Sequence, residues 1–209
     1  MTNSRPFRII LLCLVLGWVY STAESQDTYG FTLQELHSAL DRAGLGAERI
    51  CNIQTFGSGQ GSEILPIPAH IAVLSTSHEG WKVSVFRRVK GGFQLEWSSH
   101  KLPDEFAVSS PDHLSIEDVG DESVVTFSGC AAHMCNGVGG VAGFLVYSTS
   151  RKQAFFVRYS GANEYDTSGS EVKFSRDALQ PANAQYKAVL QRGIDSLTRL
   201  DRPASMKSR

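Results

Sequence analysis

The sequence predicts an α+β fold in which an antiparallel β-sheet is covered on one face by helices. Several segments alternate between apolar and polar residues with a period of two, and turns of hairpin length separate them. One amphipathic helical segment precedes these strands and another follows them. Because no helix of crossover length lies between successive strands, the strands are expected to pair in antiparallel fashion. These features favour a sheet whose helices lie at the two ends of the chain.

The two helices are predicted from apolar residues that recur at helical spacing. The first helix covers residues 32–43, where Thr32 and Glu35 have the spacing of a capping box. The second covers residues 181–200, and Gly193 weakens its middle. Each helix has one apolar stripe, so each is expected to bury one face.

The strands are predicted from alternation and from the turns between them. They cover residues 71–77, 81–89, 93–102, 123–130, 141–149, 153–161 and 171–175. Two segments are interpreted as connections: residues 51–68, which are rich in Gly and Ser, and residues 102–118. In two neighbouring strands, the positions expected to face a core are Trp81, Val83, Val85, Phe93, Leu95 and Trp97. The positions expected to face solvent are Lys82, Ser84, Gln94 and Glu96.

The N-terminus has the pattern of a secretory signal peptide. Arg5 and Arg8 precede an apolar run over residues 9–20, and the small residues 21–23 suit cleavage. A run of about twelve apolar residues is too short for a bilayer core, which needs roughly twenty. We therefore expect residues 1–23 to be removed, the mature protein to be periplasmic or secreted, and no stable membrane insertion after cleavage.

Composition limits what the mature chain does. Hydrophobic residues make up 42% of the sequence, which is enough to form a sizeable core. We expect one exported domain over residues 24–200 and a flexible tail at 201–209. The formal net charge of −1 gives no basic footprint, so no nucleic-acid partner is expected. The sequence contains no Gly-x-Ser-x-Gly or His-Glu-x-x-His motif, and we predict a protein that is not an enzyme and binds no cofactor.

The segment "FSGCAAHMCNG" places Cys130 and Cys135 on either side of His133. These side chains could supply three zinc ligands with Cys51 as a fourth, but an exported thiol pair meets oxidants before it meets metal. Redox and haem motifs need Cys-x-x-Cys, and a catalytic Cys/His pair needs groups that approach from different parts of the fold. A disulfide between Cys130 and Cys135 fits best, and it would stiffen a loop that presents His133.

Residues 100–197 resemble the Ivy-type inhibitors of vertebrate-type (c-type) lysozyme. The segments "HKLP", "VGDESVVTFSGCAAHMC", "GFLVYSTSRKQAFF" and "EVKFSRDAL" follow one another in the family's order. That family has a strand ending in Cys-x-x-His-x-Cys, a second strand, a Ser-x-Lys turn, a third strand and a short helical segment before a final helix. Residues 26–99 have no counterpart and are interpreted as an N-terminal elaboration, with a helix and a β-hairpin.

The resemblance implies that the partner is a lysozyme-type glycosidase. In the family, the disulfide-held loop enters the lysozyme cleft and its histidine contacts the two catalytic carboxylates. An imidazole can donate a hydrogen bond to an ionised carboxylate and accept one from a protonated carboxyl group, which matches the unequal pair of a glycosidase. The residues so assigned to the partner-binding loop are Ala131, Ala132, His133 and Met134, with Cys130 and Cys135 as its brace. The family's usual loop has Lys-Pro before the histidine and Asp after it, and this loop has neither.

Two other hypotheses remain open at the level of sequence. The first is a periplasmic binding or structural module of the same fold, with another partner or none, that uses the aromatic face of the sheet or the glycine-rich segment 136–143. The second is a metal-binding envelope protein. A hydrolase is disfavoured, because the carboxylates between residues 104 and 118 have no spacing that fixes a catalytic pair.

Overall fold

The computed structural model describes residues 31–58, 68–99, 102, 106, 110–130, 141–161 and 170–200. The helices are α1 (Leu33–Arg42) and α2 (Ala184–Leu200). The first sheet contains, in spatial order, β1 (Arg49–Ser58), β2 (Pro68–Ser77), β3 (Gly80–Val89) and β4 (Gly92–Ser98). The second contains β5 (Leu114–Val119), β6 (Glu122–Cys130), β7 (Val141–Ser148), β8 (Gln153–Ser160) and β9 (Glu171–Phe174). All the pairings are antiparallel, so the fold is α+β and mostly sheet.

The two sheets pack face to face, and each is covered on its outer face by one helix. The inner cluster joins Leu74 and Val85 of the first sheet to Phe127 and Leu145 of the second. A separate cluster packs α1 on the outer face of the first sheet, and another packs α2 on the outer face of the second. The expectation of one sheet with its helices on one face is therefore wrong. Apolar residues on both faces of each sheet produce four layers instead.

The first helix forms as predicted and has a complete capping box. The Thr32 side chain accepts a hydrogen bond from the Glu35 amide at 3.1 Å, and the Glu35 carboxylate accepts one from the Thr32 amide at 2.8 Å. The stripe that it buries against the first sheet consists of Leu36, Ala39 and Leu40. At the other end of the chain, a 3₁₀ turn (Pro181–Asn183) leads directly into α2.

Two strands lie where connections were predicted. Residues 51–68 were expected to be a loop, but residues 51–58 belong to β1, which pairs with β2. The pairing register shifts between Ile50 and Asn52, which interrupts the alternation that identifies a strand in sequence. Within the predicted connection over residues 102–118, β5 pairs with β6 along its whole length.

The predicted facing of β3 and β4 is correct for Trp81, Val83, Val85 and Trp97 on the core side and for Gln94 on the solvent side. It is wrong for Leu95, which is exposed, and for Ser84 and Glu96. Val85 pairs with Trp97 but Phe86 pairs with Leu95, so Glu96 forms a bulge that reverses the faces along β4. Phe93 consequently packs in the α1 cluster rather than between the sheets. The residues expected to face solvent also include two that are buried, Ser84 as a whole and the side chain of Glu96. Both faces of this sheet are covered, so alternation alone does not separate core from solvent.

Candidate functional site

The predicted binding loop starts from the end of two central strands of the second sheet. The last described pair of β6 and β7 is Cys130 with Ala142, and residues 131–140 connect the two strands. The Cys130 sulfur is in a disulfide bond, whereas Cys51 is a reduced cysteine buried between the sheets. The other predicted loop residues lie outside the described part of the chain: Ala131, Ala132, His133, Met134 and Cys135. The pairing of Cys130 with Cys135 therefore stays a prediction.

We call the last described pair of β6 and β7, Cys130 with Ala142, the root of the loop. Next to this root, β6 and β7 carry two facing glycines. Gly129 pairs with Gly143 one position before the Cys130 pair. The Phe106 side chain lies over both glycines and stacks on Phe127, with ring centroids 5.7 Å apart and planes at 14°. Gly143 is the end of the glycine-rich segment considered as a ligand site, and in the structure its missing side chain makes room for an aromatic ring.

The opposite face of the root borders a small cavity below α2. The Nδ1 atom of His113, just before β5, lies 3.3 Å from the carbonyl oxygen of Ser128. Arg192 of α2 donates a hydrogen bond to Glu117 of β5 at 3.3 Å. The cavity has a volume of about 220 Å³ and is lined by Glu117, Ser128, Phe144, Arg192, Gly193 and Ser196. These contacts hold β5, β6 and α2 together near the point where the predicted loop begins.

A polar cluster that the sequence did not indicate joins the two sheets. Tyr147 of β7 donates a hydrogen bond to Glu96 of β4 at 3.2 Å, and only 7% of the Glu96 side chain is exposed. The Glu96 carboxylate also lies 3.9 Å from Nε2 of His70 and 3.8 Å from Nε of Arg87. Glu96 was expected to face solvent, and the bulge described above turns it inward. No local sequence pattern pairs it with Tyr147, which lies 51 residues away.

The environment of this cluster shifts the pKa of two of its members. Burial lowers the pKa of His70 below its ordinary value of 6.5, Glu96 opposes this effect, and Arg87 adds to it. Burial also raises the pKa of Tyr147, and the Glu96 carboxylate raises it further. Tyr147 is therefore a neutral hydrogen-bond donor at ordinary pH. Trp97 stacks on its ring at 4.6 Å, so this tryptophan packs in the core as predicted.

A second polar cluster lies at the other end of β6, away from Cys130. Glu122 accepts a hydrogen bond from the hydroxyl of Tyr186 in α2 and one from Ser148 at the end of β7, whose Oγ lies 2.9 and 3.1 Å from the two carboxylate oxygens. Burial opposes ionisation of this carboxyl group, but hydrogen bonds from Ser150, Tyr186 and Ser148 outweigh that effect and lower its pKa. Ser148 is completely buried, so these contacts fix α2 to the sheet rather than form an open reactive site.

The metal hypothesis finds little support in the part of the chain that the structure describes. A sulfur in a disulfide is not a thiolate, so Cys130 is not a zinc ligand in this state. The Cys51 thiol lies 3.6 Å from the carbonyl oxygen of Arg49. Among the described residues, no three His, Cys, Asp or Glu side chains are placed to hold a metal ion.

The fold and the site define an α+β protein, mostly sheet, with an oxidised cysteine at the end of a central strand. No protein-family model, curated protein or solved structure matches this chain. None of the helices among the described residues is both long and apolar enough to cross a membrane.

Proposed function

We propose that the mature chain is exported and inhibits a lysozyme-type glycosidase by inserting the loop that carries His133 into the cleft of the enzyme. The observation that supports this most directly is the disulfide at Cys130, the last residue of β6. A disulfide at a strand end limits the conformations of the connection that follows, and a preorganised loop loses less entropy when it binds. Disulfides persist mainly in oxidising compartments, which agrees with export.

The surroundings of the root suit a binding loop. The strands β6 and β7 are central in a five-stranded sheet, with β5 on one side and β8 on the other. The first sheet packs on one face of this sheet and α2 on the other. Binding residues commonly lie on loops that a rigid scaffold positions, and this scaffold is buried on both faces.

The proposed interaction is binding without turnover. Ala131, Ala132 and Met134 carry no charge, so the polar contacts of this loop with two catalytic carboxylates would fall to His133. Its imidazole can donate to one carboxylate and accept from the other. His133 would then carry a larger share of the loop's affinity than the equivalent histidine does in family members, where charged neighbours beside the histidine also contribute.

The test compares His133→Ala with His78→Ala in an inhibition assay against a c-type lysozyme. His78 is a matched control, because its side chain lies in the β2–β3 turn and is 91% exposed. Truncating a central contact residue typically costs 2 kcal/mol or more, so we expect the inhibition constant of His133→Ala to rise by roughly thirtyfold. The His78→Ala variant should inhibit like the wild type. The proposal fails if the wild type does not inhibit, or if both variants inhibit equally well.

A further inference from the structure

The contact between Phe106 and the two facing glycines is closer than any other residue type would allow. A Cβ atom built on Gly143 would lie 2.6 Å from two ring carbons of Phe106, and one built on Gly129 would lie 2.8 Å from the Phe106 Cα atom. Real Cβ atoms essentially never approach closer than 3.0 Å, so a side chain at either position would displace Phe106. The absence of both side chains creates a notch that the ring fills.

This notch lies directly below the oxidised cysteine. Gly129 is adjacent to Cys130 in β6, and the Gly129–Gly143 pair is followed by the last described pair, Cys130 with Ala142. Glycine has the greatest backbone freedom of all residues, so two facing glycines would weaken the strand ends on which the disulfide depends. An aromatic ring packed over such glycines supplies the contacts that their missing side chains cannot make.

Phe106 belongs to the chain that links the two sheets. It is only 3% exposed and lies in the inner cluster with Leu102, which is 6% exposed. The amide of Leu102 donates a hydrogen bond to the Trp81 carbonyl at 3.5 Å, which ties this link to the first sheet. The ring of Phe106 therefore lies in the cluster that joins the two sheets and contacts the strand ends that lead to Cys130.

We propose that Phe106 is a positioning residue that fixes the strand ends carrying the Cys130 disulfide. Its ring keeps Gly129 and Gly143 in register, so the chain leaves β6 and enters β7 in one direction. The consequence for inhibition rests on the proposed function, whereas the consequence for the disulfide does not. Loss of the ring is expected to let the strand ends open locally, which makes the half-buried Cys130 sulfur more accessible and lowers the affinity of the loop.

The test measures how fast dithiothreitol reduces the Cys130 disulfide in the folded protein. In this exchange dithiothreitol is oxidised to its cyclic disulfide while two protein thiols form, and mass spectrometry after alkylation counts those thiols. Cys130 is half-buried, and dithiothreitol must reach a sulfur atom to reduce its disulfide. Local opening increases that access, so Phe106→Ala should be reduced about tenfold faster than the wild type or more.

Phe93→Ala is the matched control for a general loss of stability. Phe93 is 1% exposed and packs against α1 on the outer face of the first sheet, away from the inner cluster. Its truncation removes the same side chain from an equally buried site, so it should destabilise the protein without speeding native-state reduction. Equal acceleration in both variants, or none in Phe106→Ala, would overturn the proposal.

Milder variants keep the test decisive if Phe106→Ala does not fold. Gly143→Ala should push the ring from the notch and speed reduction of the disulfide. Phe106→Leu keeps a large apolar side chain over the glycines, so its disulfide should be reduced at a rate near that of the wild type. Unchanged reduction in Gly143→Ala would also count against the proposal. If the wild type does not inhibit lysozyme but Phe106→Ala is reduced faster, the proposed function fails and the positioning role stands.

Discussion

At the scale of single residues, the polar contact between the sheets depends on one buried carboxylate. Glu96 accepts the hydrogen bond of Tyr147 and lies near both His70 and Arg87. The His70 ring is stacked on Phe56 at 5.2 Å, and only 19% of its side chain is exposed. Protonating this imidazole would place a new charge in a largely desolvated position, which is why its pKa lies below 6.5.

We predict that His70 makes the protein less stable in mild acid. Because its pKa is lowered in the folded state, the unfolded chain binds the proton first as the pH falls below about 6.5. The free energy of unfolding should therefore fall with pH from 6.5 down through the folded pKa, by at most about 1.4 kcal/mol per pH unit for one proton. Urea unfolding at a series of pH values measures this slope.

Replacing His70 with Gln removes the titrating group and should flatten that part of the pH profile. His78→Gln, at an exposed position, should keep the profile of the wild type. A His70→Gln protein with an unchanged profile, or a wild type that becomes more stable below pH 6.5, would contradict the assignment of this effect to His70.

The same residues show where sequence patterns lose information. Alternation assigns Glu96 to solvent, but one extra residue in β4 places it between the sheets. Phe93 and Trp97 were assigned to one face for the same reason, and the bulge puts them on opposite faces. A bulge is fixed by pairing with the neighbouring strand, so it is not visible in the pattern of one strand.

At the scale of elements, the second helix shows how packing overrides propensity. Gly193 weakens an isolated helix, and replacing it with Ala would add up to about 1 kcal/mol of helix propensity. In the structure, however, a Cβ atom on Gly193 would lie 2.5 Å from the Phe144 ring of β7. The glycine lets α2 approach the second sheet closely at this point.

We predict that Gly193→Ala destabilises the protein in spite of the better propensity. Overpacking of this kind typically costs about 1 to 3 kcal/mol, so after the gain in propensity a net loss of roughly 1 kcal/mol is expected in urea unfolding. The loss should shrink in a Gly193→Ala, Phe144→Leu double variant, because the smaller side chain leaves room. Ser196→Ala, at an exposed position of α2, should be neutral or slightly stabilising. A Gly193→Ala protein more stable than the wild type would contradict this packing.

How well each element could be predicted depends on how far apart in the sequence the residues that stabilise it lie. The capping box and apolar stripe of α1 are local, and both are present as predicted. The hairpin of β7 and β8, with Ser148 paired to Gln153, likewise joins two predicted strands that a turn of hairpin length separates. By contrast, β1 and β5 are irregular or short, and they become recognisable as strands through their partners β2 and β6. The position of Phe106 over the glycine notch depends on tertiary packing, which local patterns do not show.

At the scale of the whole molecule, the N-terminal half is a structural counterpart of the C-terminal half rather than a small addition to it. Its four strands form a complete sheet with a helix of its own, and that sheet covers one face of the strands that carry Cys130. The family resemblance that we infer from the sequence is confined to residues 100–197, so it gives no account of this layer. The physical role of the first sheet is to bury the inner face of the second and, through Leu102 and Phe106, to support the root of the disulfide.

The central proposal is that the loop following Cys130 occupies a glycosidase cleft. The most direct measurement is calorimetric titration of a c-type lysozyme with the oxidised mature protein, with and without a chito-oligosaccharide that fills the cleft. We expect a one-to-one complex. Its apparent Kd should rise linearly with the oligosaccharide concentration, because both ligands compete for one site. Binding that is independent of the oligosaccharide, or no binding at all, would contradict the proposal.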